Sequence, residues 1–431
     1  MDTAQLGCVR NSQAVRTDHG VVRYASPCGR RAHSRRGRSD SGVCAVHDEG
    51  FGAGWAARPR RWRRWSHRGA RVMLRGVAEW VWYDAGAAAA AIRLGLSPLS
   101  TVFGAIVRGR NRRLDAQRAL AAIPALSVGN LTVGGSGKTP VASWFAQCLR
   151  DLGAHPALVL RGYGDDEWRV HRLLTPGLPV VLNADRVAAL GEASGRGADC
   201  AVLDDAFQHR RAARVANVVL VSADRFPDPV RLLPAGPFRE GLGALRRATS
   251  VVVTVKAADR RAVERVEACL REAAPDVPMA RVHLVPGGVR RAADSGGGPL
   301  GVSENAQAHD TGWLAGRPLL LTSAIADAEA FERQVVAQGV RLVRHLRFPD
   351  HHDYSDRDVS RLVSESRNTD GVLCTLKDAV KLASRWPREA VPLWYVSQTL
   401  VIDRGAEVLQ QECLRVLAAR AVTIPTAGLS G

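Results

Sequence analysis

Lys138 and Thr139 close the run Ser127-Val128-Gly129-Asn130-Leu131-Thr132-Val133-Gly134-Gly135-Ser136-Gly137-Lys138-Thr139. An apolar strand ends at Val128, a glycine-rich loop follows, and helix-forming residues begin near Thr139. Backbone N–H groups of such a loop converge on phosphate oxygens, and glycine lets the chain approach them closely. In this reading Thr132, Val133, Gly134, Gly135, Ser136 and Gly137 cradle the phosphates of a nucleoside triphosphate. Lys138 meets the β- and γ-phosphates, and the Thr139 hydroxyl ligates Mg²⁺. Thr132 stands where the usual pattern has its first glycine. Three glycines in four residues followed by Lys-Thr, in a strand–loop–helix setting, outweigh that departure.

A second group lies about 65 residues further on, in Cys200-Ala201-Val202-Leu203-Asp204-Asp205. An acidic pair at a strand end is common by itself. Beside a phosphate loop it is the arrangement that positions Mg²⁺, so Asp204 and Asp205 join Thr139 as candidate metal residues. Phe207-Gln208-His209 continues the segment. His209 is open to two readings, a sensor of the γ-phosphate or part of a structural turn.

These residues need a sheet to present them. Apolar runs Ile123–Val128, Ala157–Leu160, Val180–Leu182, Ala201–Leu203, Val218–Val221 and Val251–Thr254 alternate with helix-like stretches. Short, nearly continuous apolar strands with crossovers predict a parallel sheet covered on both faces. A shorter pattern of the same kind follows in Leu319–Thr322, Val340–Leu346, Val372–Thr375 and Leu393–Val396. The expected fold class is α/β: a P-loop NTPase-like parallel sheet with a second, smaller α/β domain and N-terminal membrane-associated helices. The boundaries predicted are a disordered Arg-rich extension over 1–72, a membrane-associated segment over 73–121 and a kinase-like core over 122–290. A Gly-rich linker over 291–317, the smaller domain over 318–420 and a tail over 421–431 complete the chain.

The chain has 431 residues and a net charge of +18, and its 46% apolar content suffices for packed cores and excludes a wholly disordered protein. Residues 1–72 hold 15 Arg against 5 acidic residues, so most of the positive charge sits in the extension and no nucleic-acid partner is expected. Within it, Arg58-Pro59-Arg60-Arg61-Trp62-Arg63-Arg64-Trp65 could bind phosphate or anionic lipid. An unstructured extension, with initiation at Met73, is the plainer reading, and no secretory signal is expected. Only four residues are lysine, Lys138, Lys256, Lys377 and Lys381, against 56 arginines. A bias that strong replaces lysines used as generic surface charge, and the survivors are expected where a compact ammonium is needed. The eight cysteines form no CxxC pair and no zinc-like cluster, which fits a reducing cytosol.

Trp80, Val81, Trp82 and Tyr83 precede an apolar stretch from Ala85 to Val107 that carries one charge, Arg93, and one proline, Pro98. A spanning helix wants about 20 uninterrupted apolar residues. Arg93 and Pro98 are expected to break the run, leaving helices that lie in a membrane interface or enter one leaflet, or a pair of ordinary soluble helices.

Taken together these motifs resemble the tetraacyldisaccharide 4'-kinases, the lipid A 4'-kinases of Gram-negative bacteria. The likeness runs in one order from Val128–Gly135 through Arg161-Gly162-Tyr163, Ala184-Asp185-Arg186 and Leu203–His209. It continues with Leu233-Pro234-Ala235-Gly236-Pro237-Phe238-Arg239-Glu240, Phe348-Pro349-Asp350-His351-His352 and Thr375-Leu376-Lys377-Asp378. It covers about 75–410, and the family loop also carries Thr at the position of Thr132.

The resemblance implies transfer of the ATP γ-phosphoryl group, with Mg²⁺, to the 4'-hydroxyl of a tetraacylated glucosamine disaccharide 1-phosphate. That lipid A precursor lies in the cytoplasmic leaflet of the inner membrane, so inner-membrane lipids are expected partners and no obligate protein partner is implied. An acceptor-side Asp of a Gly-Asp-Glu-Pro motif, helped by a His, orients or deprotonates the hydroxyl in the family. Here the corresponding segment is Gly164-Asp165-Asp166-Glu167-Trp168, with Trp in place of Pro and the preceding segment almost deleted. The register is open between Asp165 and Asp166, and the following Glu167 favours Asp166. His351, Asp166 and Lys138 are therefore the catalytic candidates. Asn130, Arg161, Tyr163, Glu167, Gln208, His209, Arg239 and Glu240 are the candidate substrate-binding residues. The rival readings are a regulatory P-loop NTPase and a catalytically impaired membrane-binding relative.

Overall fold

The computed structural model describes residues 76–162, 166–292, 302 and 308–423, with two short paired strands at Val15–Arg16 and Val22–Arg23. The expectations for Tyr163 and Asp165, for the Arg-Trp run and for most of the Gly-rich linker fall outside these residues.

A single sheet runs through the molecule. Its first half is β1 (Ala125–Asn130), β2 (Pro156–Leu160), β3 (Val180–Leu182), β4 (Cys200–Asp204), β5 (Ala216–Ser222), β6 (Ser250–Val255) and β7 (Met279–Arg291). After the short β8 (Ala308–His309), the second half adds β9 (Pro318–Ser323), β10 (Arg341–Arg347), β11 (Val372–Thr375) and β12 (Leu393–Arg404). The spatial order is β10-β9-β11-β12-β7-β6-β5-β1-β4-β2-β3. Neighbours along this path are parallel except at β7–β12, a long antiparallel pairing from Trp394↔Arg291 to Arg404↔Arg281 that welds the halves together.

β1 lies between β4 and β5, so strand order reverses there. The crevice beyond the carboxyl end of such a strand is where open α/β sheets bind ligands. Every residue of β1 is buried, as expected of a strand covered on both faces. The helix that follows, α3 (Lys138–Asp151), buries Val141, Ala142, Phe145, Ala146 and Leu149 at helical spacing against β1. Each large side chain there contributes about 2–3 kcal/mol of burial. The C-terminal helix α10 (Ala406–Thr423) places Leu409, Cys413 and Val416 in the same core, so the chain returns to its first half after completing the second. Cys200 and Cys374 are buried and Cys148 is half-buried; all five cysteines among the described residues are free thiols.

Two helices precede the sheet, α1 (76–83) and α2 (Ala87–Ala116). The expected break at Arg93 and Pro98 does not occur, and α2 runs through both. The Arg93 guanidinium turns back and donates to the Val81 and Asp84 carbonyls at 2.6 and 2.7 Å, which caps the end of α1. Beside Pro98, the Ser97 hydroxyl donates to the Arg93 carbonyl at 3.0 Å. The stripe that α2 buries, Ala89, Ser100, Gly104 and Asn111, is small or polar. Ser100 donates to the Leu232 carbonyl at 2.9 Å and Asn111 to the Glu240 carboxylate at 2.8 Å. Ile92, Leu94, Leu99, Val102 and Ile106 are exposed instead. This polarity is the reverse of a helix packed on a soluble core. Among the described residues α2 is the one helix long and apolar enough to cross a membrane by length and composition.

Candidate active site

The loop after β1 lines a cleft of about 850 Å³ with Val133 through Pro140. Gly137 takes φ 81°, a left-handed backbone that side chains rarely adopt, so glycine is the residue favoured at the start of α3. The loop carbonyls are held from behind: Thr254 Oγ1 donates to Ser136 O at 3.0 Å and Lys256 Nζ to Gly135 O at 3.1 Å. Thr132 bridges Phe238 in an antiparallel pair. That backbone is extended, which is why a β-branched residue can stand where the usual pattern has glycine.

The paired carboxylates separate. Asp204, the last residue of β4, is buried and its Oδ2 lies 2.9 Å from His171 Nε2, while His171 Nδ1 lies 2.9 Å from Ser143 Oγ. Burial alone would raise Asp204; its contact with His171, with Lys138 and Lys377 nearby, outweighs this and holds the carboxyl below its ordinary range. Asp205 takes φ 48° and turns into the cleft, 3.6 Å from Lys138 Nζ and 3.7 Å from Arg239 Nη1. Asp204 Oδ1 is buried without a hydrogen-bond partner, and Thr139 lies at the start of α3 facing the same cleft. No cluster of three or more His, Cys, Asp or Glu able to hold a metal exists among the described residues. A lone unsatisfied carboxylate oxygen and a threonine hydroxyl suit a Mg²⁺ that takes its other ligands from phosphate and water.

Asp166 precedes α4 (Glu167–Leu174), is only 5% exposed and is not itself among the residues that line the cleft, which its neighbour Glu167 and its partner His351 reach. Its Oδ2 lies 3.0 Å from Lys381 Nζ and 3.5 Å from His351 Nδ1. His351 takes φ 60°, and its N–H donates to Ala324 O at 3.0 Å. The loop bearing Ala324 is braced by buried Asp378, which accepts from Ala324 N–H, Tyr354 O–H and Thr375 O–H. Burial pushes Asp166 up, but His351 and the Lys381 ammonium pull harder and keep its carboxyl well below the usual range. His351 is raised by its Asp166 partner, against burial. The pair is thus a carboxylate beside an imidazole that favours its cation.

The family model described as tetraacyldisaccharide-1-P 4'-kinase matches residues 92–177 and 170–417. The tetraacyldisaccharide 4'-kinase of Halorhodospira halophila is 32% identical, over 73% of this chain and 90% of that relative. That of Anaeromyxobacter sp. strain Fw109-5 is 32% identical over 82% of this chain and its entire own length. The chain belongs to the tetraacyldisaccharide 4'-kinase family. A solved structure of LpxK from Aquifex aeolicus in complex with ATP covers 75% of this chain and 99% of its own, with a TM-score of 0.57 at 24% identity, and shares the fold.

In this family member the remaining candidates divide. Arg161, Glu167 and Arg239 line the cleft together with Asp350 and His351. Asn130 and Gln208 lie beneath the loop: Gln208 donates to Asn130 O at 2.7 Å, and Asn130 is fully buried. His209 is outside the cleft lining and is pushed down to about 4 by burial, with Arg186 and Arg214 adding to the shift. Glu240 is also outside it; its buried carboxylate accepts from Asn111 of α2 and pairs with Arg247 at 3.0 Å, which makes it an anchor for α2.

The motifs gave no site role to His171 or Arg225, to Lys256 or Lys381 beyond their being lysine, or to Glu79, Trp82 and Tyr83 of α1, which line the cleft. One signal did exist for the lysines. Lys138, Lys256 and Lys377 line the cleft and Lys381 sits on Asp166, so all four lysines of the chain serve this site.

Proposed function

We infer that this family member transfers the γ-phosphoryl group of ATP to the 4'-hydroxyl of a tetraacyldisaccharide 1-phosphate, giving the 4'-phosphorylated lipid A precursor. The observation that supports the site assignment is one cleft lined by both the phosphate loop and His351, with the buried Asp166 carboxylate 3.5 Å behind the imidazole. Lys138 sits where it stabilises charge on the migrating phosphoryl group. Asp204 Oδ1 and the Thr139 hydroxyl would hold Mg²⁺, whose charge offsets that of the phosphates. A loose phosphoryl-transfer transition state asks for orientation of the attacking hydroxyl more than for early deprotonation. Asp166, ionised at any working pH, accepts that hydroxyl's hydrogen bond, while His351 and Lys381 fix the carboxylate. His351 and Arg161, which line the cleft, are read as meeting the acceptor.

The apolar face of α2 and Trp80 are read as resting on the cytoplasmic face of the inner membrane, where the acyl chains of the acceptor lie. The mouth of the cleft at Trp82 and Tyr83 would then open at the lipid surface. Radiolabelled ATP with detergent-dispersed disaccharide acceptor tests the assignment directly. Labelled lipid is expected; ATP hydrolysis without labelled lipid would support the regulatory NTPase instead.

A further inference from the structure

Three of the four lysines have a carboxylate partner: Lys138 with Asp205 at 3.6 Å, Lys256 with Asp327 at 3.0 Å and Lys381 with Asp166 at 3.0 Å. Lys377 has none. It is half-buried in the wall of the cleft, in the first turn after β11, and makes no ion pair or hydrogen bond among the described residues. An ammonium partly withdrawn from water with carboxylates near but none in contact is best satisfied when an anion arrives beside it. Two further observations locate that anion. The Thr375 hydroxyl binds Asp378 at 2.6 Å, which turns Asp378 inward and leaves the intervening Lys377 facing the cleft. Lys377 lines the same cleft as Lys138, Asp204 and His351, and its charge is felt by Glu167 and, less, by Asp204 of the first half and His351 of the second.

We propose that Lys377 is a catalytic residue of the phosphoryl transfer, its ammonium binding the equatorial oxygens of the γ-phosphoryl group from the side opposite Lys138. This rests on the kinase reading above. The ground-state phosphates are already met by the loop and Lys138, whereas the group in flight moves toward Asp166 and His351, and so toward Lys377. Asp166, Asp204 and Asp205 already meet Lys381, His171 and Lys138, so Glu167 is the carboxylate left to repel an incoming phosphoryl group. A single compact cation on the far wall answers that repulsion where an arginine fork has no planar partner.

The test uses the full chain with ATP, Mg²⁺ and dispersed acceptor. Lys377→Ala is expected to lower kcat by about 10²–10³-fold while both KM values stay within about threefold. Lys377→Arg should recover only part of the rate, and ethylammonium should raise the rate of the Ala variant but not of the wild type. Binding gives an independent readout: affinity for ADP with fluoroaluminate should fall about 10²-fold, with ADP alone unchanged. Wild-type kcat in Lys377→Ala overturns the proposal. So does a rise confined to the acceptor KM, which would place Lys377 on the 1-phosphate of the lipid. Recovery of Lys377→Ala by Glu167→Gln overturns it too, because the lysine would then merely neutralise Glu167. If the wild type labels no lipid at all, it is the kinase reading that fails, and the fluoroaluminate comparison still decides the role of Lys377.

Discussion

Lys256 Nζ lies 3.0 Å from Asp327 Oδ2 and also donates to the Gly135 carbonyl, so one side chain ties the phosphate loop to the second half of the molecule. Both side chains are less than a tenth exposed. Around them Gln334 donates to Lys256 O, and Arg225 donates to Ala326 O while pairing with Glu79 of α1 at 3.5 Å. Phosphate loop, second half and N-terminal helices are thereby joined at one point.

Removing one member of that pair strands a buried charge, which typically costs about 3–5 kcal/mol. Lys256→Met is expected to lower Tm by several degrees and raise the KM for ATP. Lys256→Met combined with Asp327→Leu should recover much of the stability but not the KM, since the loop contact stays lost. Thermal denaturation of the three variants checks this, and a double variant less stable than the single would overturn it.

Lys138→Ala should remove the charge that follows the γ-phosphoryl group and lower kcat by at least about 10²-fold. Lys138→Arg should fail as well, because a planar fork cannot replace a point charge in a tight backbone cradle. Near-wild-type turnover in either variant would sink the phosphate-loop assignment.

On the proposed reading, in which both act on the attacking hydroxyl, Asp166→Ala and His351→Ala should each depress kcat sharply and leave ATP affinity nearly unchanged. Acting as one unit, they should give a double variant scarcely worse than the poorer single. Additive, modest losses would mean that the pair does not act on the hydroxyl.

The same pair sets a pH dependence of stability. The folded state raises His351, so its contribution is complete below about pH 6.5 and is lost as pH rises through the elevated value. Asp166 is depressed, so its contribution is complete above about pH 4 and is lost only as pH falls toward its lowered value. Tm should therefore decline more steeply between pH 6.5 and 8 in the wild type than in His351→Gln, as scanning calorimetry would show; equal slopes would dissociate His351 from Asp166.

Leu94, Leu99 and Ile106 are exposed on α2. Changing all three to Asp should leave the melting temperature and ATP binding within error of the wild type. Flotation with anionic phospholipid vesicles should be lost, together with turnover of the lipid acceptor. Undiminished flotation would move the membrane contact elsewhere on the surface.

What the sequence determined by itself is the part whose chemistry is local. A phosphate cradle is made by consecutive backbone amides, so Gly134 through Thr139 announce it in one stretch. A strand buried on both faces must be apolar until its polar end, so Asp204 is legible at the end of Cys200–Leu203. The same periodicities predicted the α/β class, and the scarcity of lysine marked four positions before any contact was visible. The family resemblance paired Asp166 with His351, but only the tertiary structure showed their contact and brought Lys381 onto the same carboxylate, both partners about 200 residues beyond Asp166, because no local pattern encodes a contact between distant segments. The tertiary structure alone separated Asp204 from Asp205, through the positive φ of the second. It also turned Arg93 from an apparent interruption of an apolar run into the cap of α1, and Glu240 from a ligand candidate into the anchor of α2. In each case residue type and spacing were compatible with more than one partner, and packing made the choice by deciding which polar groups were buried together and had to satisfy one another.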